Sequence, residues 1–378
     1  MKKGKVKNLL PFFQYKIMKT IRVFLRSKAF FGAAVFLSNS LSRLHKLRGA
    51  LLLTYDPEVC QDGTGAQWMR VISILAVAKR HRCQYVFTPL SDVTVTPMDS
   101  FQSMKEVSEY LEELNVILSA ETIIHTKLSS NGTINESKPD VYRIQNLTYF
   151  SLLRYRIKSI IFNKTILLSC GNAFGVSELS PLIYKNMNFE IWKSKIRSYV
   201  EKITYSNMKE QFSGRFDVAV HYRKGSNGSD KLIHESHPRI LPKEYFINAI
   251  QQISREFGQN LDPNLKVCIL TDSPEKDFEY TPINSQLDRW KDEPRLHQGK
   301  VEIIGEQFDW LIEAFPDCTF QLIRGGNPLV SLDVMINSRS LVISRSAFSF
   351  IAGLIGGPEI VVCPKGFVHN PPRSWQVM

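Results

Sequence analysis

Val218-Ala-Val-His-Tyr-Arg-Lys-Gly-Ser-Asn-Gly-Ser-Asp230 decides how the rest of the chain is read. A short apolar run from Phe216 to Val220 has the β-branched content of a buried strand, and it breaks into a loop that is basic first and then built of Gly, Ser and Asn. Arg223 offers a planar fork of donors and Lys224 a point charge, while Gly225 and the small residues after it let the backbone come close. A strand end followed by cations and by a loop rich in backbone N–H groups suits an anionic ligand such as a phosphate.

Around this stretch, the second half alternates strands and helices. Strands are expected at Phe216–His221, Lys266–Thr271, Val301–Ile304, Thr319–Ile323, Ser340–Ile343 and Ile360–Cys363. Helices are expected at Pro242–Phe257, Pro328–Asn337 and Ala347–Ile355. The first half opens with a strand at Leu51–Tyr55. It runs through Gln61-Asp-Gly-Thr-Gly-Ala-Gln-Trp68 into a helix whose Met69, Ile72, Leu75, Ala76 and Lys79 keep helical spacing, and then a strand at Cys83–Thr88. A helix at Met104–Leu114, a polar loop at 127–140, a strand pair at Ser159–Ser169 and a helix at Phe189–Ile203 follow. The pattern predicts an α/β protein of two doubly wound Rossmann-like domains facing across a cleft, covering 51–210 and 211–378, with a boundary near Ser206–Arg215.

Residues 1–50 form a separate appendage. They hold 12 of the 48 Lys and Arg residues and no Asp or Glu, so residues 51–378 are formally neutral although the whole chain carries +12. A nucleic-acid binder would carry its basic excess on the folded domain, so no nucleic acid is expected as partner. The appendage interleaves its cations with Leu9, Phe12, Phe13, Ile17, Ile21, Phe24 and Phe30. Its longest charge-free run, Ala29 to Ser42, is too short to span a bilayer unaided. A basic, aromatic-rich amphipathic segment suits lying on an anionic membrane surface; packing on the protein's own body is the other reading.

Six cysteines show no metal-ligand spacing, which points to a reducing compartment and no structural zinc. The expected location is therefore the cytoplasmic face of a membrane. Sequons at Asn131, Asn135, Asn146, Asn163 and Asn227 leave a lumenal, Golgi-type location as the alternative.

In open α/β sheets ligands gather at the carboxyl ends of the strands. Three such ends in the second half carry polar clusters: His221, Arg223 and Lys224; Thr271-Asp272-Ser273; and Ser344-Arg-Ser-Ala-Phe-Ser349, where Ser346 and Ser349 can cap a helix. Together they describe a diphosphate held between a cationic loop and a helix N-terminus, as a transferase acting on nucleotide sugars requires.

These residues resemble the fucosyltransferase superfamily, α-1,2 members above all. His221-Tyr-Arg-Lys-Gly is similar to their H-x-R-R/K-G-D motif, with Ser226 in place of the final acid. Thr271-Asp272 resembles their Ser/Thr-Asp-Asp strand end, and Asp333 to Ala352 their D-x-x-x-M…S-N-S-S-F-S block. Val361-Val-Cys-Pro364 resembles the strand and proline after that block, and Gly63-Thr-Gly-Ala-Gln67 their G-L-G-N-Q loop.

The resemblance implies a GT-B fold and an inverting, metal-independent transfer, most simply of L-fucose from GDP-fucose, onto a glycan or lipid-linked glycan. The GDP-sugar is a donor substrate and no cofactor is implied. Arg223 and His221 would be catalytic. Arg223, Lys224, Gly225, Asp272, Asp333, Ser344, Ser346, Ser349, Gly63, Gly65 and Gln67 would hold the donor, Asp333 at the guanine. A transferase using another nucleotide sugar, or a nucleotide- or glycan-binding pseudoenzyme of the same fold, are the alternatives. No general base is singled out among the loop residues Asp62, Asp230, His234, Glu235 and His237.

Overall fold

A computed structural model describes residues 51–55, 64–86, 113, 139–145, 147–171, 189–207, 215–223, 240–257, 265–273, 275–280, 296–297, 300–303, 305–325, 327–366 and 371–378. The basic appendage at 1–50, the helix expected at 104–114 (save Glu113) and most of the polar loop at 127–140 lie outside the described residues.

The first half is a four-stranded parallel sheet of β1 (Leu51–Tyr55), β2 (Gln84–Tyr85), β3 (Asp140–Ile144) and β4 (Ile166–Cys170), in the order β2-β1-β4-β3. Helix α1 (Thr64–His81) joins β1 to β2, and α2 (Tyr149–Phe162) joins β3 to β4. Both crossovers step across the sheet in the same direction. The right-handed rule therefore puts both helices on one face, over Leu51, Leu53, Leu168 and Cys170.

Arg156 of α2, fully buried, donates from Nη2 to the carbonyl of His81 at 2.6 Å and contacts Cys83 Sγ at 2.9 Å. This places a cation on a carbonyl at the negative end of α1. Helix α3 (Glu190–Asn207) closes the half.

Two expectations for this half need correction. Ser159–Ser169 is not a strand pair: it is the last turn of α2 followed by β4. Ile157, Ile160 and Ile161 look strand-like, but the helix is fixed at its ends by a Thr148–Ser151 capping box and by Asn163 in the left-handed region, φ 51°. The strand Asp140–Ile144 is not legible in the sequence, because Tyr142 and Arg143 stand side by side between Val141 and Ile144 and leave no continuous apolar run. Among the described residues the strand expected at Cys83–Thr88 covers only Gln84–Tyr85.

The second half is a six-stranded parallel sheet: β5 (Val218–Tyr222), β6 (Lys266–Thr271), β10 (Thr319–Arg324), β11 (Ser340–Val342), β12 (Ile360–Cys363) and β13 (Gln376–Val377). Their order is β10-β6-β5-β11-β12-β13, which ranks the six strands 3-2-1-4-5-6 as in dinucleotide-binding folds. Helix α4 (Lys243–Glu256) follows β5. Helices α6 (Pro328–Asn337) and α7 (Ala347–Gly356) follow β10 and β11.

Because the winding reverses at β5, α4 covers Val218, Val220, Val267, Ile269 and Val342 on one face. The α6–α7 pair covers Ala219, Cys268, Leu270, Leu341 and Ile343 on the other. A separate antiparallel sheet of β7 (Phe278–Tyr280), β8 (Leu296–His297) and β9 (Lys300–Ile303) is inserted between β6 and β10 with the short helix α5 (Asp309–Ala314). The strand expected at 301–304 thus belongs to this insertion rather than to the parallel alternation.

The two halves share one core. Trp68 and Trp192, edge to face at 5.6 Å, cluster with Phe350, Ile351 and Met335. Helix α1 packs along α7, and α3 lies across α6. The expected plan of two parallel α/β halves is the one found. Since α1 begins beyond the carboxyl end of β1 and α7 beyond that of β11, and Gly65 of α1 abuts Phe348 of α7, the carboxyl ends of the two sheets lie at the same end of the shared core.

Candidate functional site

A doubly wound sheet opens a crevice where its winding direction reverses, between its first and fourth strands. In this chain that point lies between β5 and β11, which pair directly at Ser340–Val218, Leu341–Ala219 and Val342–Val220. His221 stands near the end of β5 and Ser344 just past β11. His221 Nδ1 and Ser344 Oγ are 2.6 Å apart, so one hydrogen bond joins the two strand ends across the crevice. Ser344 is fully buried.

Burial, together with the Arg223 guanidinium two residues on, pushes the imidazole of His221 down to about 3, so it is neutral at ordinary pH. Arg223 is therefore near enough to act on this ring. On the neighbouring strand β6, Thr271 pairs with Tyr222, which brings Asp272 beside the same end of the sheet.

The third wall is a helix start. Ser346 is the N-cap of α7, its Oγ accepting from the Phe348 N–H at 3.3 Å. Ser349 is fully buried and donates back to the Ser346 carbonyl at 3.2 Å. The Ser349 hydroxyl donates within the helix, and the Ser346 oxygen is used as its cap acceptor. What this end offers a ligand is the partial positive charge of the first turn.

The start of α1 comes to the same place. A Cβ added at Gly65 would lie 2.6 Å from Phe348 Cα and 2.8 Å from its Cβ, so only glycine permits this approach. Phe348 in turn stands 6.0 Å from the His221 ring, centroid to centroid. Two helix N-termini, one from each half, thus converge beside His221.

The structure brings together His221, Arg223, Asp272, Ser344, Ser346, Ser349 and Gly65. Lys224, Gly225 and Gly63, and the loop acids and histidines considered as a base, lie outside the described residues, as does the Gln67 side chain. Asp333 is not brought to this group. It sits in the last turns of α6, toward the amino end of the sheet, where it accepts from Asn337 Nδ2 at 2.8 Å and pairs with Arg197 of α3 at 3.4 Å. Burial raises its carboxyl against the opposing pull of Arg197 and Asn337. Arg197, Arg215, Phe216 and Asp333 line a small cavity there.

Sequence reasoning missed the support beneath the crevice. Tyr222, pointing away from His221 on the strand, donates to the buried Glu306 at 2.9 Å, and Lys243 at the start of α4 pairs with Glu306 at 3.4 Å. Arg324 donates to the carbonyls of Ser273 at 2.8 Å and Glu306 at 2.7 Å, holding the segment that carries Asp272. Tyr245 of α4 donates to the Ile343 carbonyl at 2.9 Å, one residue before Ser344. These contacts join residues from 18 to 98 positions apart, and no local spacing announces them.

No family model matches the chain. No curated protein matches it either. Among solved structures, POFUT1 in complex with GDP is similar over 88% of this chain and 99% of its own, at 13% identity and a TM-score of 0.41. POFUT1 in complex with GDP-fucose covers 88% of this chain and 98% of its own at 12% identity and a TM-score of 0.39. The E. coli heptosyltransferase WaaC with ADP-2-deoxy-2-fluoro heptose covers 87% and 92%, at 10% identity and a TM-score of 0.31. Alignments this loose assign neither activity nor ligand to this chain.

Proposed function

We propose that the protein is a glycosyltransferase that takes a sugar from a nucleoside-diphosphate donor, with GDP-fucose the donor favoured, and passes it to a glycan hydroxyl with inversion. The observation that carries this reading is the convergence of Arg223, neutral His221 held by Ser344, and the N-terminal turns of α1 and α7 at the switch point between β5 and β11. In such a transfer the bond from the anomeric carbon to the diphosphate oxygen breaks as the bond to the acceptor oxygen forms. The bonding pair leaves with the nucleotide, and the proton of the acceptor hydroxyl passes to the departing diphosphate or to solvent.

The demand on the protein is to stabilise a leaving diphosphate. A guanidinium fork and two helix ends meet that demand without a metal. With Nδ1 engaged by Ser344, Nε2 is the ring atom available to the ligand, and a neutral imidazole can bond a phosphate oxygen there. The donor preference for GDP-fucose rests on the motif resemblance around His221 and Arg223. The acceptor is proposed to be a glycan or lipid-linked glycan, with residues 1–50 at a cytoplasmic membrane face.

The test is nucleotide release from GDP-fucose, other GDP-sugars, ADP-sugars and UDP-sugars by the full chain, with and without glycan acceptors. Release from one donor class should fall about 10²–10³-fold in Arg223→Ala, the usual effect of removing one preorganised contact to developing charge. Release from none of them, with any acceptor, would contradict the reading.

A further inference from the structure

Helix α2 (Tyr149–Phe162) is built inside out. Its core-facing arc holds Leu152, Arg156 and Ser159, all buried, so two of its three inward positions are polar. Its outward arc carries Phe150, Ile157 and Ile161, exposed to 58%, 39% and 66%, with Phe162 at 61% on the flank. Phe150, Arg154, Ile157 and Ile161 fall at spacings of four, three and four, so they form one stripe along the helix. Most other large exposed apolar side chains among the described residues stand singly in their elements, as is normal for a protein surface. A stripe on one helix is not, and it marks a contact.

The charges around the stripe say what covers it. Residues 149–164 contain Arg154, Arg156, Lys158 and Lys164 and no acid. Arg154 lies within the stripe. Lys158 borders it, its Nζ over the Tyr142 ring at 4.4 Å. Lys164, one turn on, meets Asp140 at 3.3 Å in an exposed pair. Apolar side chains mixed with cations, on a helix of about 21 Å, match the boundary between acyl chains and anionic headgroups. A second copy docking on the same stripe by twofold symmetry would set Arg154 and Lys158 against themselves.

We propose that the outward face of α2 seats the first half of the protein on an anionic phospholipid surface, with Phe150, Ile157 and Ile161 in the bilayer interface and Arg154 and Lys158 among the headgroups. This holds whether or not the crevice transfers sugars. Helix α2 begins at the carboxyl end of its sheet, the end that also carries the start of α1, so its first turn lies on the crevice side of the molecule.

The experiment uses the full chain with Ile161→Trp, a change at an exposed position that leaves the core untouched. The chain is bound to vesicles of phosphatidylcholine with about 30% phosphatidylserine and acyl-chain-brominated lipid, and the unsubstituted chain supplies the background. The new indole should raise bromine quenching at least about twofold over that background, and the gain should vanish in pure phosphatidylcholine. A chain that binds the vesicles without added quenching, or that does not bind them, would overturn the proposal. So would shielding of the new indole without lipid in a species of doubled mass, which would make a second copy the occupant.

Discussion

His221 Nδ1 lies 2.6 Å from Ser344 Oγ, and that contact fastens the end of β5 to the end of β11 at the one place where the sheet reverses its winding. The bond orients the ring from a buried hydroxyl that has no exposure to solvent. Ser344→Ala should leave the fold intact and cost about 1–2 kcal/mol in chemical denaturation, the range for a buried hydrogen bond with one partner removed. Nucleotide affinity should fall with it by about tenfold, because the ring loses the bond that orients it. Calorimetric titration reads both the affinity and its enthalpy.

Acid should unfold the protein through two imidazoles that the fold keeps neutral, His81 and His221. Burial lowers His221 to about 3 and His81 to about 4, from 6.5 in each case; nearby cations add to this, Arg223 at the first and Arg156 and Arg80 at the second. Between those values and 6.5 the unfolded chain binds protons that the folded chain refuses, so stability rises with pH across that window. It is fully present above 6.5 and is lost as pH falls through the window. Denaturation midpoints from pH 4 to 7 should show this slope, and His221→Asn should flatten part of it. A His221 imidazole found protonated by NMR at pH 6 would contradict the assignment.

Gly65→Ala tests the meeting of the two helix starts. An alanine in a helix is ordinarily stabilising, but a Cβ at this position overlaps the backbone of Phe348. We expect a loss of about 1–3 kcal/mol, as for an overpacked core site, together with weakened nucleotide binding as α1 and α7 are forced apart. Gly357→Ala is the control. There the added Cβ meets nothing within 4 Å, and only the left-handed φ of 58° opposes it. It should cost about 1 kcal/mol and leave binding unchanged.

Asp333 separates the geometry from the motif resemblance. Its carboxylate faces Arg197 and Asn337 between α3 and α6, and its raised carboxyl means that burying the charge costs stability above its folded pKa. Asp333→Asn keeps an acceptor for Asn337 and removes that charge. It should be neutral or slightly stabilising at pH 7, with nucleotide affinity within about twofold of the parent. A collapse of binding in this variant would return Asp333 to the site.

Much of this was legible in the sequence because buried parallel strands announce themselves. Lys266–Thr271 and Pro328–Asn337 fall where the pattern puts them, since a continuous apolar run and a Pro-started amphipathic turn each have few other readings. The polar strand ends at His221, Thr271 and Ser344 could be read for the same reason: they interrupt such runs. Helix α2 misled because its periodicity is inverted, with Arg156 inside and Ile161 outside, so the apolar residues trace the wrong face. Asp333 joins the motif through its neighbours in sequence, but five residues of helix from Pro328 carry it about 7.5 Å back from the crevice end. The Tyr222–Glu306–Lys243 and Arg324–Ser273 contacts depend on an insertion folding back over the sheet, which no local pattern encodes.

If the β5–β11 switch point binds a nucleoside diphosphate through Arg223, calorimetric titration of the full chain with GDP, UDP and ADP reads that binding at its source. Binding should be saturable, tightest for GDP, weakened about 10²-fold or more in Arg223→Ala, and unaffected in Asp333→Asn. Absence of binding for all three nucleotides, or equal binding by the parent and Arg223→Ala, would contradict it.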